Sequence, residues 1–469
     1  MATKKDLVEA YAFSRRRLVT AFVSGAPGGR EVEPTRPGRM IVGGIALAVL
    51  LVAGAAIAGA LSDRAEVDWD KPGLVADDRG ALYVILDEDL ASGLPRVRPV
   101  INVTSAQLIL GAGVEARKVP DDEIAGERKG PPIGILDAPA TVPGAADLVE
   151  SGWTSCTGSG LGMQTSVEVS PRVTPTPTTG FVVRSAATDK VYLIAEADVP
   201  GLPRRAYRYE LTAGNDGLYS DLRISPNNQI TVPDAWLELF PPGASLDAAG
   251  LGIRGWGEPA GLPGYDGALV GDWLERSGTT YAFTKTGFVE LSPFEAAVLR
   301  NTSLGKRAPQ AVTEAPGAPF DIVRGAEGAG EHWPEEVLAG SLSATEQVCG
   351  QLTTAEDREP AVRLATAPTG AAGAEDVAVG DREVTVASGH GAVIRSADWI
   401  TRAGGTIHLI DDRGYSYPVA STDDLAQLGY GQVPGLVVPD VWNKLFEIGP
   451  ELSQDAALCP PSKDRSCGA

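Results

Sequence analysis

The 469-residue sequence is poor in the side chains that most enzyme and metal chemistry uses. It has three histidines (His332, His390 and His408), none at a metal-ligand spacing, and four cysteines with no CxxC pair. HExxH and EF-hand patterns are absent, and so is a Walker A loop. The nearest match to the latter, LGKR at 304–307, lacks both the upstream glycine and the following Ser or Thr. No strand–GxGxxG–helix unit and no GxSxG elbow occur. Gly111-Ala112-Gly113 reads as a turn after a helix, and Ser388-Gly389-His390 as a glycine-rich turn. Acidic clusters such as Asp87-Glu88-Asp89 read as solvated loops. A basic surplus is also missing: the formal charge is −21, which leaves no cationic stripe for nucleic acid. On motifs alone this is a structural or binding protein, with no catalytic residue, cofactor or metal site to nominate.

Glycine (56) and proline (35) are abundant, which favours short elements joined by many turns. The length calls for two or more modules. One long apolar run exists: residues 40–61, MIVGGIALAVLLVAGAAIAGAL, carry no charge and suffice for one membrane-spanning helix. Eight basic residues (Lys4, Lys5, Arg15, Arg16, Arg17, Arg30, Arg36 and Arg39) precede it against four acidic ones. After it come Asp63, Glu66, Asp68 and Asp70 with only Arg64 and Lys71. The positive-inside bias puts the N-terminus in the cytoplasm and the bulk of the chain outside the membrane. A cleaved signal peptide would have a shorter apolar stretch nearer the start.

All four cysteines (Cys156, Cys349, Cys459 and Cys467) follow the run, which in an extracytoplasmic body reads as two disulfides. Cys459 and Cys467 enclose the short loop CPPSKDRSC, leaving Cys156 with Cys349 as a long-range staple. In the tail, Leu7, Ala10, Tyr11, Ser14, Leu18 and Phe22 fall at helical spacing beside Arg15–Arg17. Such a basic amphipathic helix suits anionic lipid or a partner helix.

The body repeats itself. VPDAWLELFPPGASL (232–246) matches VPDVWNKLFEIGPEL (438–452), and upstream GFVVRSA (180–186) matches GAVIRSA (391–397). Apolar strand-like runs follow each, and a cysteine with a Pro/Thr/Ala-rich link precedes each. Asp234 and Asp440 are expected to N-cap short helices. Trp236 with Leu239 and Phe240, and Trp442 with Leu445 and Phe446, are expected to form buried stripes, with Gly243 and Gly449 ending the turns. These residues read as scaffold anchors. Further caps are expected at Ser292 (Ser-Pro-Phe-Glu), at Thr104 with Gln107, and at 421–429, STDDLAQLG. The fold class is α+β, with small modules of short strands and one helix arranged as a pair of pairs around a central part.

In the tail, Tyr11, Phe13, Arg16, Arg17 and Leu18 form a Tyr-x-Phe-x-x-Arg-Arg-Leu pattern. Then follow ALYVIL (81–86), RPVINVTSAQLILG (98–111), KVPDDEIAG (118–126), GPPIGILDAP (130–139) and Trp153-x-x-Cys156. HLIDDRGYSYPV (408–419), DDLAQLGYG (423–431) and the 438–458 segment close the series. In this order the chain resembles the EccB family, the single-pass core component of actinobacterial type VII (ESX) secretion systems. Arg98 stands where the family has a histidine, and CPPSKDRSC has no family counterpart. The resemblance implies one N-terminal transmembrane helix and an elongated β-rich extracytoplasmic body. That body would have pseudo-twofold duplication, four small repeat modules plus a central domain, with Cys156 and Cys349 at the matching disulfide positions. It also implies partners: an FtsK/SpoIIIE-type ATPase, a multi-span channel protein, membrane lipid and further copies of the chain. The tail helix would make the cytoplasmic contacts. The family is described as ATP-hydrolysing, although no phosphate cradle is visible here.

The expected divisions are 1–39 (cytoplasmic tail), 40–61 (span), 62–152 (first module region) and 153–262 (second module and part of the central domain). Then come 263–345 (third module region), 346–458 (fourth module and the rest of the central domain) and 459–469 (C-terminal tail). Three functions follow for an inner or plasma membrane protein with a periplasmic bulk: a secretion-complex scaffold, an ATP-hydrolysing subunit of the same system, or a cell-wall-binding anchor.

Overall fold

A computed structural model describes residues 4, 5, 8, 10–15 and 68–462, less 92, 213, 226, 315, 326–329, 344 and 369–372. The chain divides into two compact units, Met1–Val67 and Asp68–Ala469. In the first, residues 10–15 are helical. The expected span at 40–61 lies outside the described residues, among which no helix is long and apolar enough to cross a membrane.

The second unit is β-rich, and one connectivity recurs in it four times. Three short strands form an antiparallel meander, a helix follows, and a return segment lies parallel to the first strand. In the first instance Gly73–Ala76, Leu82–Ile85 and Val97–Pro99 lead through the helix Val103–Leu110 to Arg117–Lys118. In the second, Thr179–Ser185, Val191–Ala197 and Arg205–Glu210 lead through Asp216–Asp221 to Ile230–Val232. The third runs Trp273–Arg276, Thr279–Phe283, Phe288–Leu291 and the helix Pro293–Arg300, after which Ala311 bridges in parallel to Trp273. The fourth runs Ala392–Ala397, Thr406–Ile410, Tyr415–Val419, the helix Thr422–Gln427 and Leu436–Pro439. Returning parallel to the first strand requires a crossover, and the helix supplies it.

A six-stranded sheet joins these units. Its order is Arg382–Val386, Met163–Val167, Trp153–Thr157, Gln347–Thr353, Ala361–Ala367 and Thr174–Pro175. The middle four strands are two hairpins laid side by side, one from each half of the chain. Each hairpin is extended by a short strand from the other half: Arg382–Val386 lies on Met163–Val167, and Thr174–Pro175 lies on Ala361–Ala367. Separating the halves therefore breaks ladder bonds at three places.

Apolar packing follows the same plan. The second and third units share one core, with Leu193, Tyr209, Phe294 and Trp333 inside it. The first and fourth share another around Leu108, Leu409, Tyr417 and Leu452. Residues of the second and fourth units also close over the central sheet in a third core.

Helix starts show how local chemistry sets these elements. Ser292 forms the expected capping box, its Oγ accepting from the Glu295 amide while Glu295 accepts from the Ser292 amide. Ser421 caps Thr422–Gln427. The box expected at Thr104 and Gln107 does not form, because Asn102 takes the position instead. Its Oδ1 accepts from the Ser105 amide at 2.8 Å while its Nδ2 donates to the Ile135 carbonyl at 3.0 Å, which places Thr104 inside the first turn. An amide side chain held from both ends outcompetes a hydroxyl two residues later.

Candidate functional site

Four of the six scaffold residues singled out in the repeated motif, Trp236, Phe240, Trp442 and Phe446, converge on the central sheet. In both copies a strand ending in Val-Pro delivers an Asp to the first turn of a short helix, Asp234–Leu237 or Asp440–Asn443. Proline fixes the extended entry and has no amide to satisfy there. Neither aspartate caps its own helix; that expectation is corrected by the observed cap positions, Pro233 and Pro439, which carry no side-chain cap bond. The carboxylates instead reach sideways to the end of the first strand of their unit. Asp234 accepts from the Ser185 hydroxyl at 2.7 Å and the Ala187 amide at 3.1 Å, and Asp440 accepts from the Ser396 hydroxyl at 2.6 Å. Each bond pins the start of the helix to its sheet.

The helices then bury their aromatic side chains. Trp236 and Trp442 are fully buried, and Phe240 and Phe446 are at most 2% exposed. The Trp236 indole donates to the Ser155 carbonyl at 2.8 Å, so the second unit is hydrogen-bonded to the strand that carries Cys156. Phe446 packs edge-on against Trp153 at 5.5 Å, and Trp236 against Phe240 at 4.8 Å. Trp442 repeats the burial without repeating the bond, since its indole nitrogen has no partner. Gly243 and Gly449 do not end helical turns as expected. Their amides donate to the Arg208 and Ser416 carbonyls, and a Cβ at either would overlap the ring of Tyr209 or Tyr417. Close approach to an aromatic ring explains both glycines.

The disulfide sits at the centre of this arrangement. Cys156 and Cys349 are direct partners across adjacent antiparallel strands, with Cα atoms 4.1 Å apart and a sequence separation of 193. Both are buried, at 2% and 0% exposure. Cys459 is disulfide-bonded, and Cys467 lies outside the described residues. A second link between the halves is ionic. Glu196, on the second unit and fully buried, accepts from Arg204 Nε at 2.8 Å, Arg363 Nε at 3.0 Å and the Leu364 amide at 2.8 Å. Arg363 and Leu364 belong to the central strand Ala361–Ala367. A buried carboxylate with this many donors is compensated, and losing one donor would expose it.

Of the tail residues expected to meet a partner, Tyr11 and Phe13 are helical and exposed at 74% and 52%. Arg16, Arg17 and Leu18 lie outside the described residues. The sequence reading missed a third copy of the motif. Val119-Pro120-Asp121 occupies the same place in the first unit, ahead of the helix Asp121–Gly126. Asp121 accepts from the Asp78 amide at 3.1 Å, at the end of that unit's first strand, as Asp234 does from Ala187. The tripeptide was visible in the sequence, but the tryptophan that marks the other copies is replaced by Glu123.

No group of three or more His, Cys, Asp or Glu side chains able to hold a metal is found among the described residues. The surface depression lined by Asp376, Val377, Asp381, Arg382 and Glu383 carries one cation among three carboxylates. Three carboxylates against one guanidinium make that lining unfavourable for a nucleotide phosphate.

Comparison with known proteins agrees with this architecture. A family profile described as "Type VII secretion system ESX-1, transport TM domain B" matches residues 1–461. The chain is 25% identical over 495 residues to the "ESX-1 secretion system ATPase EccB1" of Mycolicibacterium smegmatis (strain MKD8), covering 97% of this chain and 95% of that one. It is 25% identical over 489 residues to the "ESX-5 secretion system ATPase EccB5" of Mycobacterium tuberculosis (strain ATCC 25618 / H37Rv), covering 96% and 92%. Two solved structures share the fold at a TM-score of 0.61 and 21% identity. One is a chain of an intact ESX-5 inner membrane complex, with 98% of this chain and 95% of that chain covered. The other is the EccB3 dimer from the ESX-3 core complex, with 82% and 100% covered. Matched over nearly its whole length, the chain belongs to the EccB family, core components of the type VII (ESX) secretion inner-membrane complex.

Proposed function

We propose that the protein works as a rigid extracytoplasmic scaffold of that complex, anchored by one helix at 40–61 with its N-terminus in the cytoplasm. The observation that carries this reading is the interlocked centre. Two chain halves exchange edge strands, are cross-linked through Cys156 and Cys349, and have the helices of the second and fourth units buried against the shared sheet. Such a body transmits load between its outer units without itself unfolding locally. The recurrence of one connectivity in four units, in the order outer–inner–outer–inner, supports an internal pseudo-twofold duplication around a central domain.

On this reading the exposed Tyr11 and Phe13, with Arg16, Arg17 and Leu18, dock the cytoplasmic ATPase of the FtsK/SpoIIIE type. The body associates with further copies of itself and with the multi-span channel protein. Extraction of the native membrane in mild detergent, followed by mass spectrometry of what migrates with the protein, tests this. An ATPase and a multi-span protein in one large assembly support it, and a solitary monomer overturns it.

A second reading, ATP hydrolysis by this subunit, is favoured by the names its relatives carry. It requires the purified full chain to turn over ATP, and a rate no higher than a buffer control removes it. Wall binding ranks behind both and is read by retention on peptidoglycan.

A further inference from the structure

The two helices that close over the central sheet are held in different ways, and one of them depends on a histidine. Asp234–Leu237 and Asp440–Asn443 occupy matching places in the second and fourth units, and end on Leu237 and Asn443. Strand register extends the match. Tyr192 stands opposite Val183 as His408 stands opposite Ile394, and Arg208 opposite Ile194 as Ser416 opposite Ile410. In the second unit Arg208 Nη1 donates to the Leu237 carbonyl at 2.9 Å, and the Trp236 indole is bonded to the central sheet. An arginine keeps its charge throughout the physiological range, so that tie does not titrate.

In the fourth unit the same three places hold His408, Ser416 and Asn443, which are 8%, 0% and 6% exposed. Ser416 Oγ donates to Asn443 Oδ1 at 2.7 Å and lies 3.1 Å from His408 Nδ1. The hydroxyl has one proton and gives it to Asn443, so it accepts from Nδ1–H. That selects the neutral tautomer and leaves Nε2 to accept from the Thr406 hydroxyl at 3.2 Å. The Asn443 amide nitrogen sits 3.5 Å from both ring nitrogens. A proton taken up at Nε2 would meet that donor and put a charge on a buried ring. The adjacent strands bring Ile394 and Pro418 to His408, and the helix brings Asp440, the charged group that acts on the ring. The Asp440 carboxylate already accepts from Ser396 at 2.6 Å, and burial outweighs its pull. The Trp442 indole adds no tie, since its nitrogen has no partner.

We propose that His408 is an acid-sensitive latch on the end of the helix Asp440–Asn443. With a neutral imidazole, the chain from His408 through Ser416 to Asn443 ties the helix end to its sheet. A proton on Nε2 breaks that chain and loosens the helix end and Trp442 on the central sheet, while Asp440 keeps the first turn on Ser396. The second-unit helix, tied by Arg208, stays in place, so acid softens one half of the interlocked centre and not the other. The latch belongs to the body alone and works whether or not the body is assembled with partners.

The test is hydrogen exchange of the full chain in detergent at pH 7 and 5, each rate divided by that of the unfolded chain at the same pH. The amides of Lys444, Leu445 and Phe446 should lose protection several-fold as pH falls below 6.5, while those of Glu238, Leu239 and Phe240 keep theirs. His408→Gln should hold the first set at one level of protection across the range, and His332→Gln should leave the wild-type change intact. A second measurement needs no His408 variant to fold. The chain has three histidines, so His332→Gln and His390→Gln assign the His408 imidazole resonance by elimination. Its titration midpoint should coincide with the midpoint of the lost protection. Equal loss at both helices, no loss at either, a change that survives in His408→Gln, or two midpoints that differ overturns the latch.

Discussion

Replacing Cys156 and Cys349 together by alanine measures how far the central cross-link holds the two halves. The bond closes a loop with a sequence separation of 193. In the chain-entropy account a loop of that length restricts the unfolded state by about 5 kcal/mol at 25 °C. Both positions are buried in small-residue surroundings with Ala365, Ala367 and Ala374, so alanine adds no clash. For a body of about 400 residues the unfolding entropy is on the order of 0.8 kcal/mol/K, which converts the loss into a fall of about 6 °C in Tm. Differential scanning calorimetry of both forms reads the shift. Reductant added to the folded wild type should reproduce it only slowly, because neither sulfur is reachable without opening the sheet. A shift below about 2 °C would refute the reasoning. It would show that the exchanged strands Arg382–Val386 and Thr174–Pro175 keep the halves together whether or not the sulfurs are bonded.

Four further outcomes are expected. Asp272 accepts a two-pronged ion pair from Arg307 at 2.6 and 2.7 Å and two backbone amides, so Asp272→Ala should cost about 3 kcal/mol in chemical denaturation. Burial raises the Asp272 carboxyl, but Arg307 and the Leu269 and Gln310 amides outweigh it and leave it below 3.8. Its stabilisation is complete above the unfolded carboxylate value and is lost as pH falls through the folded one, which Asp272→Asn should flatten in an acid titration. His408, buried between Thr406 and Ser416, is held below 6.5 by burial against a smaller opposing pull from Asp440. Stability should therefore fall as pH drops below about 6.5, and His408→Gln should reduce that slope in melts between pH 7 and 5, leaving the share of His332, which burial also holds below 6.5. Gly243→Ala should destabilise by about 3 kcal/mol through collision with Tyr209, read as a lower denaturant midpoint at unchanged slope. Tyr11→Ala with Phe13→Ala should leave the Tm of the body unchanged while reducing co-purified ATPase several-fold, since both side chains are exposed.

Much of the architecture was written in short motifs. Cys156 and Cys349, the paired VPD segments and the Ser292 box could be read because each depends on a few adjacent residues with a fixed physical role. The third VPD copy escaped because its helix, Asp121–Gly126, buries only Ile124 and has no tryptophan to align. The aspartates were misassigned for a related reason. A carboxylate at a helix start looks like a cap in sequence, whereas its true partners, Ser185 and Ser396, lie more than forty residues upstream. Gly243 and Gly449 were misread because the rings that exclude a Cβ belong to another strand. The strand exchange was not legible at all. Arg382–Val386 and Thr174–Pro175 are short and polar, and only the pairing of distant hairpins gives them a place.

The most direct test of the account is the protein content of the medium from cells depleted of this chain, compared with cells carrying it. The account predicts that a defined set of exported proteins disappears from the medium and accumulates inside the cell. Wild-type protein should restore export, and a form with the centre disrupted at Trp236 and Trp442 should not. An unchanged set of exported proteins after depletion would contradict it.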